Sequence, residues 1–185
     1  MMDDLIQDAV RRMDKSVETT QHEFNSIRTG RASAALLDHV QVDYYGTPTP
    51  LNQLATINVP EPRMLTIQPF DPSSLKSIEK AIMESDLGLT PSNDGKIIRL
   101  PIPQLTEERR KDLVKVVRQR AEDGKVAVRN VRRDVMKHLE ELVRKGEVGD
   151  DEERAAEARV QKVTDEHVHR IDDLLKHKEA EIMEV

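Results

Sequence analysis

The sequence contains no cysteine and no tryptophan, and its 185 residues include only two tyrosines and two phenylalanines. Without cysteine the chain cannot build a disulfide scaffold, a zinc ribbon or a thiol nucleophile. So few aromatic side chains exclude a platform on which nucleic-acid bases stack. No apolar run approaches the roughly 20 residues that a membrane span requires. The acidic beginning Met1-Met2-Asp3-Asp4 differs from secretory and transit signals, so we expect a cytoplasmic protein with no membrane partner.

Sequence motifs of common enzymes are absent as well. The chain has no phosphate-binding loop, dinucleotide fingerprint, zinc-protease pattern or nucleophile elbow. His167 and His169 stand two apart on a predicted helix, so their side chains diverge by about 200° and cannot share a metal ion; His167 is expected to lie partly buried in the core. Acidic pairs such as Glu140-Glu141 are too numerous, on a chain that is 35% charged, for one to stand out. We therefore expect no enzymatic activity, no metal and no cofactor.

Proline placement divides the chain into two kinds of sequence. All nine prolines lie between positions 48 and 103, and proline breaks helix interiors, so continuous helix can form only outside this window. We expect residues 1–30 and 105–185 to form one domain of long helices. Residues 31–104 are expected to form a second domain that is inserted between the first and second of these helices.

Two of the long helices are predicted on either side of the inserted domain. Apolar residues recur at steps of three and four over residues 6–27, which is the spacing of one helix face. The first helix is expected to end at Arg28, with Gly30 in the left-handed turn that follows it. The second is expected to begin after Thr106 as its N-cap and to end before Gly146.

A third apolar stripe runs from Ala156 to Ile182. Its helix is expected to begin at Asp150, with Glu153 as a capping partner. The short link 146–149 forces the last two helices to lie antiparallel. Because such helices are not stable alone in water, each must bury its stripe on the others. The sequence therefore predicts a long antiparallel three-helix bundle.

The proline-rich window predicts a small α/β, β-rich domain, which makes the whole chain α+β. Short runs rich in β-branched residues predict strands at 40–44, 56–59, 65–67 and 97–102. A helix is predicted between Asp71 and Gly88, and Asn93-Asp94-Gly95 predicts a turn. The two connections to the bundle lie close together and are expected to act as a hinge. The candidate hinge residues are Gly30, Arg31, Pro101, Pro103 and Gln104.

Charge is distributed unevenly along the chain, whose formal net charge is −6. Residues 105–145 carry 13 basic and 8 acidic side chains, whereas residues 146–185 carry 6 basic and 13 acidic ones. The second long helix is therefore basic, and the helix that follows it is acidic. A polyanion would attract one and repel the other, so the asymmetry could orient docking as well as strengthen it.

Cationic side chains form a stripe along the basic helix. Steps of four and three connect Lys111, Lys115, Arg118, Glu122, Lys125, Arg129 and Arg132. Most of these positions follow a core position by one residue, which places the stripe about 100° from the apolar face and directs it outward. No acidic residue occurs from Lys125 to Arg133, so the cations there are expected to lack an internal counterion.

Two interpretations of this stripe are open. One is a solvated surface with pairs inside the helix. The other is a face that binds a polyanion, which the guanidinium groups favour because their planar fork suits phosphate oxygens. With so few aromatic residues, such a face would recognise backbone and shape, and folded RNA is then a better ligand than a single strand.

Six motifs, in order along essentially the whole chain, resemble the ribosome recycling factor family. They are Arg28-Thr29-Gly30-Arg31-Ala32-Ser33, Tyr44-Tyr45-Gly46-Thr47-Pro48, Lys80-Ala81-Ile82-Met83, Asp86-Leu87-Gly88-Leu89, Leu105-Thr106-Glu107-Glu108-Arg109-Arg110-Lys111 and Val128-Arg129-Asn130-Val131-Arg132-Arg133-Asp134. One departure is visible at Gly124-Lys125, where members of the family usually have Ala-Arg.

The resemblance implies a translation factor that divides the ribosome into subunits after peptide release, together with elongation factor G and its GTP hydrolysis. It implies a bundle that contacts large-subunit rRNA at the intersubunit face, and a smaller domain that moves about the hinge and faces elongation factor G. We expect a monomer. Carried onto this chain, Arg132 is the principal rRNA contact, with Arg129 and Arg133 beside it. The stripe supplies the other candidates, Lys111, Lys115, Arg118 and Lys125.

Two other classes stay open on the residues alone. A helical adaptor or chaperone-like protein could bind another coiled coil through its charged stripes. A metal- or carboxylate-dependent hydrolase would need one essential acidic pair, and the sequence favours none. Salt-sensitive association with ribosomes distinguishes the adaptor from a ribosomal factor.

Overall fold

The computed structural model describes residues 2–184, and its contacts divide the chain into two compact units. One unit holds the chain up to Phe24 and from Lys111 onward, and the other is Asn25–Arg110. The described residues contain four α-helices, which are α1 (Met2–Asn25), α2 (Leu75–Glu84), α3 (Glu107–Arg144) and α4 (Asp150–Met183). Long helices and a small antiparallel sheet confirm the predicted α+β class.

Ion pairs define how the three long helices run in the first unit. Arg159 of α4 pairs with Asp3 of α1 at 2.8 Å, and Arg170 pairs with Asp14 at 3.0 Å. Because the residue numbers of the partners increase together along both helices, α1 and α4 are parallel. The link between Arg144 and Asp150 is too short for any arrangement of α3 and α4 except an antiparallel one. At 38 residues, α3 is about 57 Å long.

Each long helix buries one apolar stripe, as its period predicts. The principal buried side chains are Met13, Val17 and Phe24 of α1, Val117, Ala121, Val128 and Leu139 of α3, and Val160, His167 and Ile171 of α4. His167 is 4% exposed, which confirms its predicted place in the core. Its ring lies between Asp14 Oδ1 at 2.6 Å and the Val163 carbonyl at 2.7 Å.

The helix ends were predicted with mixed success. Thr106 caps α3, since its Oγ1 accepts from the Arg109 N–H at 3.1 Å. Gly146 has φ +76° and closes the last turn of α3, as predicted. The prediction for α1 was wrong, because this helix ends at Asn25 and Gly30 lies five residues beyond it. Arg28 instead donates to the Leu87 carbonyl at 3.3 Å, a contact within the second unit.

The start of α4 corrects a second prediction. The N-cap residue is Gly149, and no side-chain hydrogen bond caps the helix. A capping box needs a hydroxyl or carboxamide at the N-cap, so Glu153 has no reciprocal partner there. Acidic residues still fill the first turn of α4, where the helix dipole favours them.

The second unit contains six strands. They are β1 (Gln41–Tyr44), β2 (Thr47–Pro50), β3 (Ala55–Glu61), β4 (Met64–Pro69), β5 (Ser92–Asn93) and β6 (Ile98–Pro101). β1 and β2 form a hairpin, and the others form an antiparallel sheet in the order β3-β4-β6-β5. Four strands were predicted, so β2 and the two-residue strand β5 were missed. β2 was missed because its two prolines argue against a strand, although they are tolerated where only β1 pairs with it.

Helix α2 covers the core of this unit. Asp71 caps a short 3-10 turn at Pro72–Ser74, and α2 follows directly. The helix ends at Glu84, four residues before the predicted Gly88. Its buried residues pack in one cluster with side chains of the sheet, including Ile78, Ile82, Leu65, Ile67, Ile98 and Leu100.

Candidate nucleic-acid interface

The cationic stripe lies on α3 and is not uniformly open to solvent. Its exposed members are Lys111, Lys115, Arg118 and Arg129, and the neighbouring Arg133 is exposed too. Lys125 and Arg132 are half-buried. Arg118, Lys125 and Arg132 are seven residues apart and form a column on the side of α3 that contacts α4. Lys115 and Arg129 lie farther round the helix from α4.

Two members of the column beside α4 are neutralised by that helix. The Arg118 Nε atom lies 2.7 Å from Glu179 Oε1, and the Lys125 Nζ atom lies 2.8 Å from Asp172 Oδ1. The hydrogen bond that Lys125 donates to Asp172, together with the charges of Asp172 and Glu122, raises the pKa of Lys125 above its ordinary value. Since a lysine is already charged at neutral pH, this pairing removes net positive potential without changing protonation.

Glu122 interrupts the stripe and corrects one prediction. Its carboxylate lies 3.6 Å from Lys125 Nζ and 3.6 Å from Arg129 Nη1. The expectation that these two cations lack an internal counterion was wrong, because Glu122 precedes them by one and two helical turns and Asp172 lies across the bundle. The sequence could not supply the second reason, since it does not give the register of α4.

Arg132 has an uncharged partner. Its Nε donates to Gln161 Oε1 of α4 at 2.8 Å, and no carboxylate among residues 2–184 lies within 4.0 Å of its guanidinium. Arg133 donates from Nη1 to the Asn130 side-chain oxygen at 3.4 Å and likewise has no acidic partner in the described chain. These two arginines, with Lys115, keep their charge unneutralised by the described residues.

Lys111 is different from these three residues. It is the first residue of α3 that belongs to the unit of long helices, and it has an interaction partner within the chain. The structure therefore divides the seven candidate contacts. Arg118, Lys125 and Arg129 pair with carboxylates, and Lys111 has a partner as well. The other three have no acidic partner among the described residues, and we call these three the open cations: Lys115, Arg132 and Arg133.

The candidate hinge residues all belong to the second unit, Asn25–Arg110. Gly30 has φ +82°, a backbone conformation that side chains disfavour. The first connection is fastened at Ala32, whose N–H donates to the Pro62 carbonyl at 2.7 Å. Arg31 also has a partner.

The second connection is hydrogen-bonded to Arg63, the residue next to Pro62 in the loop between β3 and β4. Pro101 ends β6, and the Ile102 N–H donates to the Arg63 carbonyl at 2.8 Å. The Gln104 side chain accepts from Arg63 at 3.4 Å. Pro103 is exposed and lies in no regular element. Both connections are thus anchored at the loop between β3 and β4.

The described residues contain no cluster of histidine and acidic side chains that could hold a metal ion. Within the same residues, no helix combines the length and the apolar character needed to cross a bilayer. The fold and the site thus define an α+β protein in which a long antiparallel bundle carries open cations and a small sheet domain is inserted in the sequence between the first and second long helices.

Comparison with known proteins identifies the family. A family model for ribosome recycling factor matches residues 20–183. The ribosome-recycling factor of Rubrobacter xylanophilus is 58% identical over 180 residues, with 97% of each chain covered. That of Geobacillus kaustophilus is 57% identical over the full length of both chains. The chain belongs to the ribosome recycling factor family, whose members are translation factors and not enzymes.

Solved structures agree with this assignment. A solution structure of a ribosome recycling factor has a TM-score of 0.81 at 42% identity, covering 100% of this chain and 98% of the other. A second chain has a TM-score of 0.71 at 48% identity, with both chains fully covered. It comes from models of the T. thermophilus ribosome recycling factor and the E. coli elongation factor G bound to the E. coli post-termination complex.

Proposed function

We propose that this protein divides the post-termination ribosome into subunits together with elongation factor G, in the cytoplasm, and that α3 docks it on large-subunit rRNA. The observation that carries the docking surface is that Arg132 and Arg133 have no acidic partner among the described residues, although acidic residues outnumber basic ones in the chain. An unpaired guanidinium offers its charge and its planar donors to a phosphate.

The open cations have the spacing of an extended contact. From Lys115 to Arg133 the helix rises about 27 Å, a length along which several phosphates of a folded RNA can be met. The packing of α3 on α1 and α4 keeps this surface on one rigid element. Arg132 is the principal contact in this proposal because Gln161 holds its side chain in one position, which lowers the entropy lost on binding.

The paired cations have a secondary role in this proposal. Arg118, Lys125 and Arg129 each face a carboxylate, so a phosphate must compete with it for them. They contribute to the long-range potential around α3 more than to direct contacts. Lys111, which also has a partner, belongs to the same group.

The inserted domain, at 31–104, faces elongation factor G in this proposal, and the connections at 30–31 and 101–104 form the hinge. The description of the second solved structure supports the partner, since it places a ribosome recycling factor and elongation factor G on one complex. The positive φ of Gly30 supports a special backbone requirement at the first connection. The GTP hydrolysis is assigned to elongation factor G in this proposal, in agreement with the lack of a phosphate-binding loop motif in this sequence.

A recycling assay tests the proposal. Post-termination ribosomes are sedimented with this protein, elongation factor G and GTP, and each component is left out in turn. Subunits should separate only when all three are present. Separation by this protein without elongation factor G would contradict the proposed partnership, and no separation with the complete mixture would contradict the function.

A further inference from the structure

The contacts between α3 and α4 follow a regular register. Arg118 pairs with Glu179, and Lys125, seven residues later on α3, pairs with Asp172, seven residues earlier on α4. A further step of seven residues in the same directions leads from Lys125 to Arg132 on α3 and from Asp172 to Asp165 on α4. The antiparallel packing of the two helices thus predicts a third ion pair, between Arg132 and Asp165.

The structure has an amide in place of this ion pair. Gln161 lies one turn before Asp165 on α4, and its Oε1 accepts from Arg132 Nε at 2.8 Å. Its Nε2 donates to Asp165 Oδ1 at 2.8 Å. Only this orientation places the amide acceptor against the guanidinium and the amide donor against the carboxylate. Both neighbours of Gln161 are therefore satisfied without touching each other.

The amide has two effects on Arg132. It holds the guanidinium by its Nε edge, so the terminal Nη1 and Nη2 groups keep their donors for another ligand. It also occupies the hydrogen-bonding position through which Asp165 would otherwise neutralise the charge. A carboxylate at this distance would compete with any phosphate, as Glu179 and Asp172 do for Arg118 and Lys125.

We infer that Gln161 is a positioning residue, which orients Arg132 and keeps Asp165 from neutralising it, so that α3 presents one unpaired arginine at this rung of the α3–α4 contact. The inference rests on the proposed function, because it concerns the same rRNA-docking surface. It assigns to α4, the acidic helix, an active part in a surface that the sequence attributes to α3 alone.

The first test replaces the amide by a carboxylate. Gln161→Glu puts a negative charge against Arg132 with little change in volume, and we expect ribosome binding to weaken about tenfold at low salt. The slope of log affinity against log salt should also become shallower by about one. A residue with only a structural role would not change this slope.

A matched control exists on α1. Gln7 is an exposed glutamine of this helix, which carries none of the candidate rRNA contacts. Gln7→Glu adds the same charge to the same unit and should leave the salt slope unchanged. If both variants weaken binding equally, the effect is one of total charge and the inference is overturned.

A second pair of variants separates the proposed effect of Gln161, which keeps Asp165 from neutralising Arg132, from an effect on folding. Gln161→Ala should let Arg132 reach Asp165, which weakens ribosome binding, and adding Asp165→Asn should restore binding because the competing charge is gone. Restoration cannot be explained by damage to the fold. Failure of the double variant to bind better than Gln161→Ala, with a native thermal melt, would overturn the inference.

Arg132→Ala measured alongside tells apart the two ways of failing. If it weakens binding and Gln161→Glu does not, Gln161 has no positioning role, and the proposed docking surface stands. If Arg132→Ala itself leaves binding and its salt dependence unchanged, the proposed docking through this arginine fails, and the inference about Gln161 fails with it.

Discussion

Gly124 allows α1, α3 and α4 to meet closely, and replacing it by alanine tests how tightly they pack. An added Cβ would lie 2.2 Å from Thr20 Oγ1 and 3.3 Å from Ile171 Cδ1. Thr20 is 3% exposed, and its hydroxyl donates to the Ser16 carbonyl at 2.9 Å. The new methyl group therefore requires a buried side chain of α1 to move.

Two opposing effects decide the outcome of Gly124→Ala. Alanine favours a helix interior over glycine by about 1 kcal/mol. Overpacking a well-filled core costs about 1–3 kcal/mol. Since 2.2 Å is far below a normal contact, we expect the steric cost to win, with a net loss of up to about 2 kcal/mol. For a chain of this size that lowers the melting temperature by about 2–4 °C per kcal/mol.

The Thr20→Ala background removes the main clash. It removes the Oγ1 atom and leaves contacts of 3.3 Å at the retained Cβ and at Ile171 Cδ1. In that background Gly124→Ala should be clearly less destabilising than in the native protein, since the gain of about 1 kcal/mol in helix propensity then offsets the cost of the two remaining contacts. The four proteins form a double-mutant cycle, followed by circular dichroism during thermal and urea unfolding. Equal effects of Gly124→Ala in both backgrounds would show that Thr20 Oγ1 is not the atom that opposes the added methyl group.

Three further predictions concern other parts of the chain. Thr106→Ala should destabilise the protein by about 1 kcal/mol and Thr106→Ser should not, because Oγ1 caps the Arg109 N–H; equal melts of the two would contradict the cap. Gly30→Val should reduce ribosome recycling more than ribosome binding, because φ is +82° there; equal loss of both argues against a hinge. The backbone N–H groups of Ile97 and Lys96 lower the pKa of Asp94 from 3.8 to about 2. The unfolded state thus binds this proton more readily, so the stabilisation is complete above pH 4 and disappears as the pH falls through 2. Asp94→Asn should flatten stability across that range, and an unchanged pH profile would show that these hydrogen bonds contribute nothing.

Most of the fold was predictable because its signals are local and periodic. The apolar stripes of α1, α3 and α4 are long enough to be unambiguous, and the cap Thr106 and Gly146 lie where residue chemistry places them. The end of α1 was not predictable, because Arg28 leaves the helix to contact Leu87, which is distant in sequence. β2 was missed since prolines are tolerated only where a strand has one partner, and pairing is a tertiary fact.

The candidate site was predictable in outline only. The cationic stripe can be read from spacing along α3, but its neutralisation depends on the register of α4, which places Glu179 and Asp172 on two of its members. The role of Gly124 shows the same limit. Its helix penalty is visible in the sequence, whereas the Thr20 hydroxyl that occupies the space of a side chain is not.

In the proposed docking, Arg132 carries an unneutralised charge to ribosomal phosphate. The most direct measurement is the affinity for ribosomes of Arg132→Ala as a function of salt, beside Arg11→Ala as control. Arg11 is an exposed arginine of α1 that is paired with Asp8. We predict that Arg132→Ala weakens binding, makes the salt slope shallower by about one and leaves the melting temperature within about 2 °C, and that Arg11→Ala changes none of these. Unchanged binding by Arg132→Ala with a lowered melting temperature would contradict the claim and make Arg132 a structural residue.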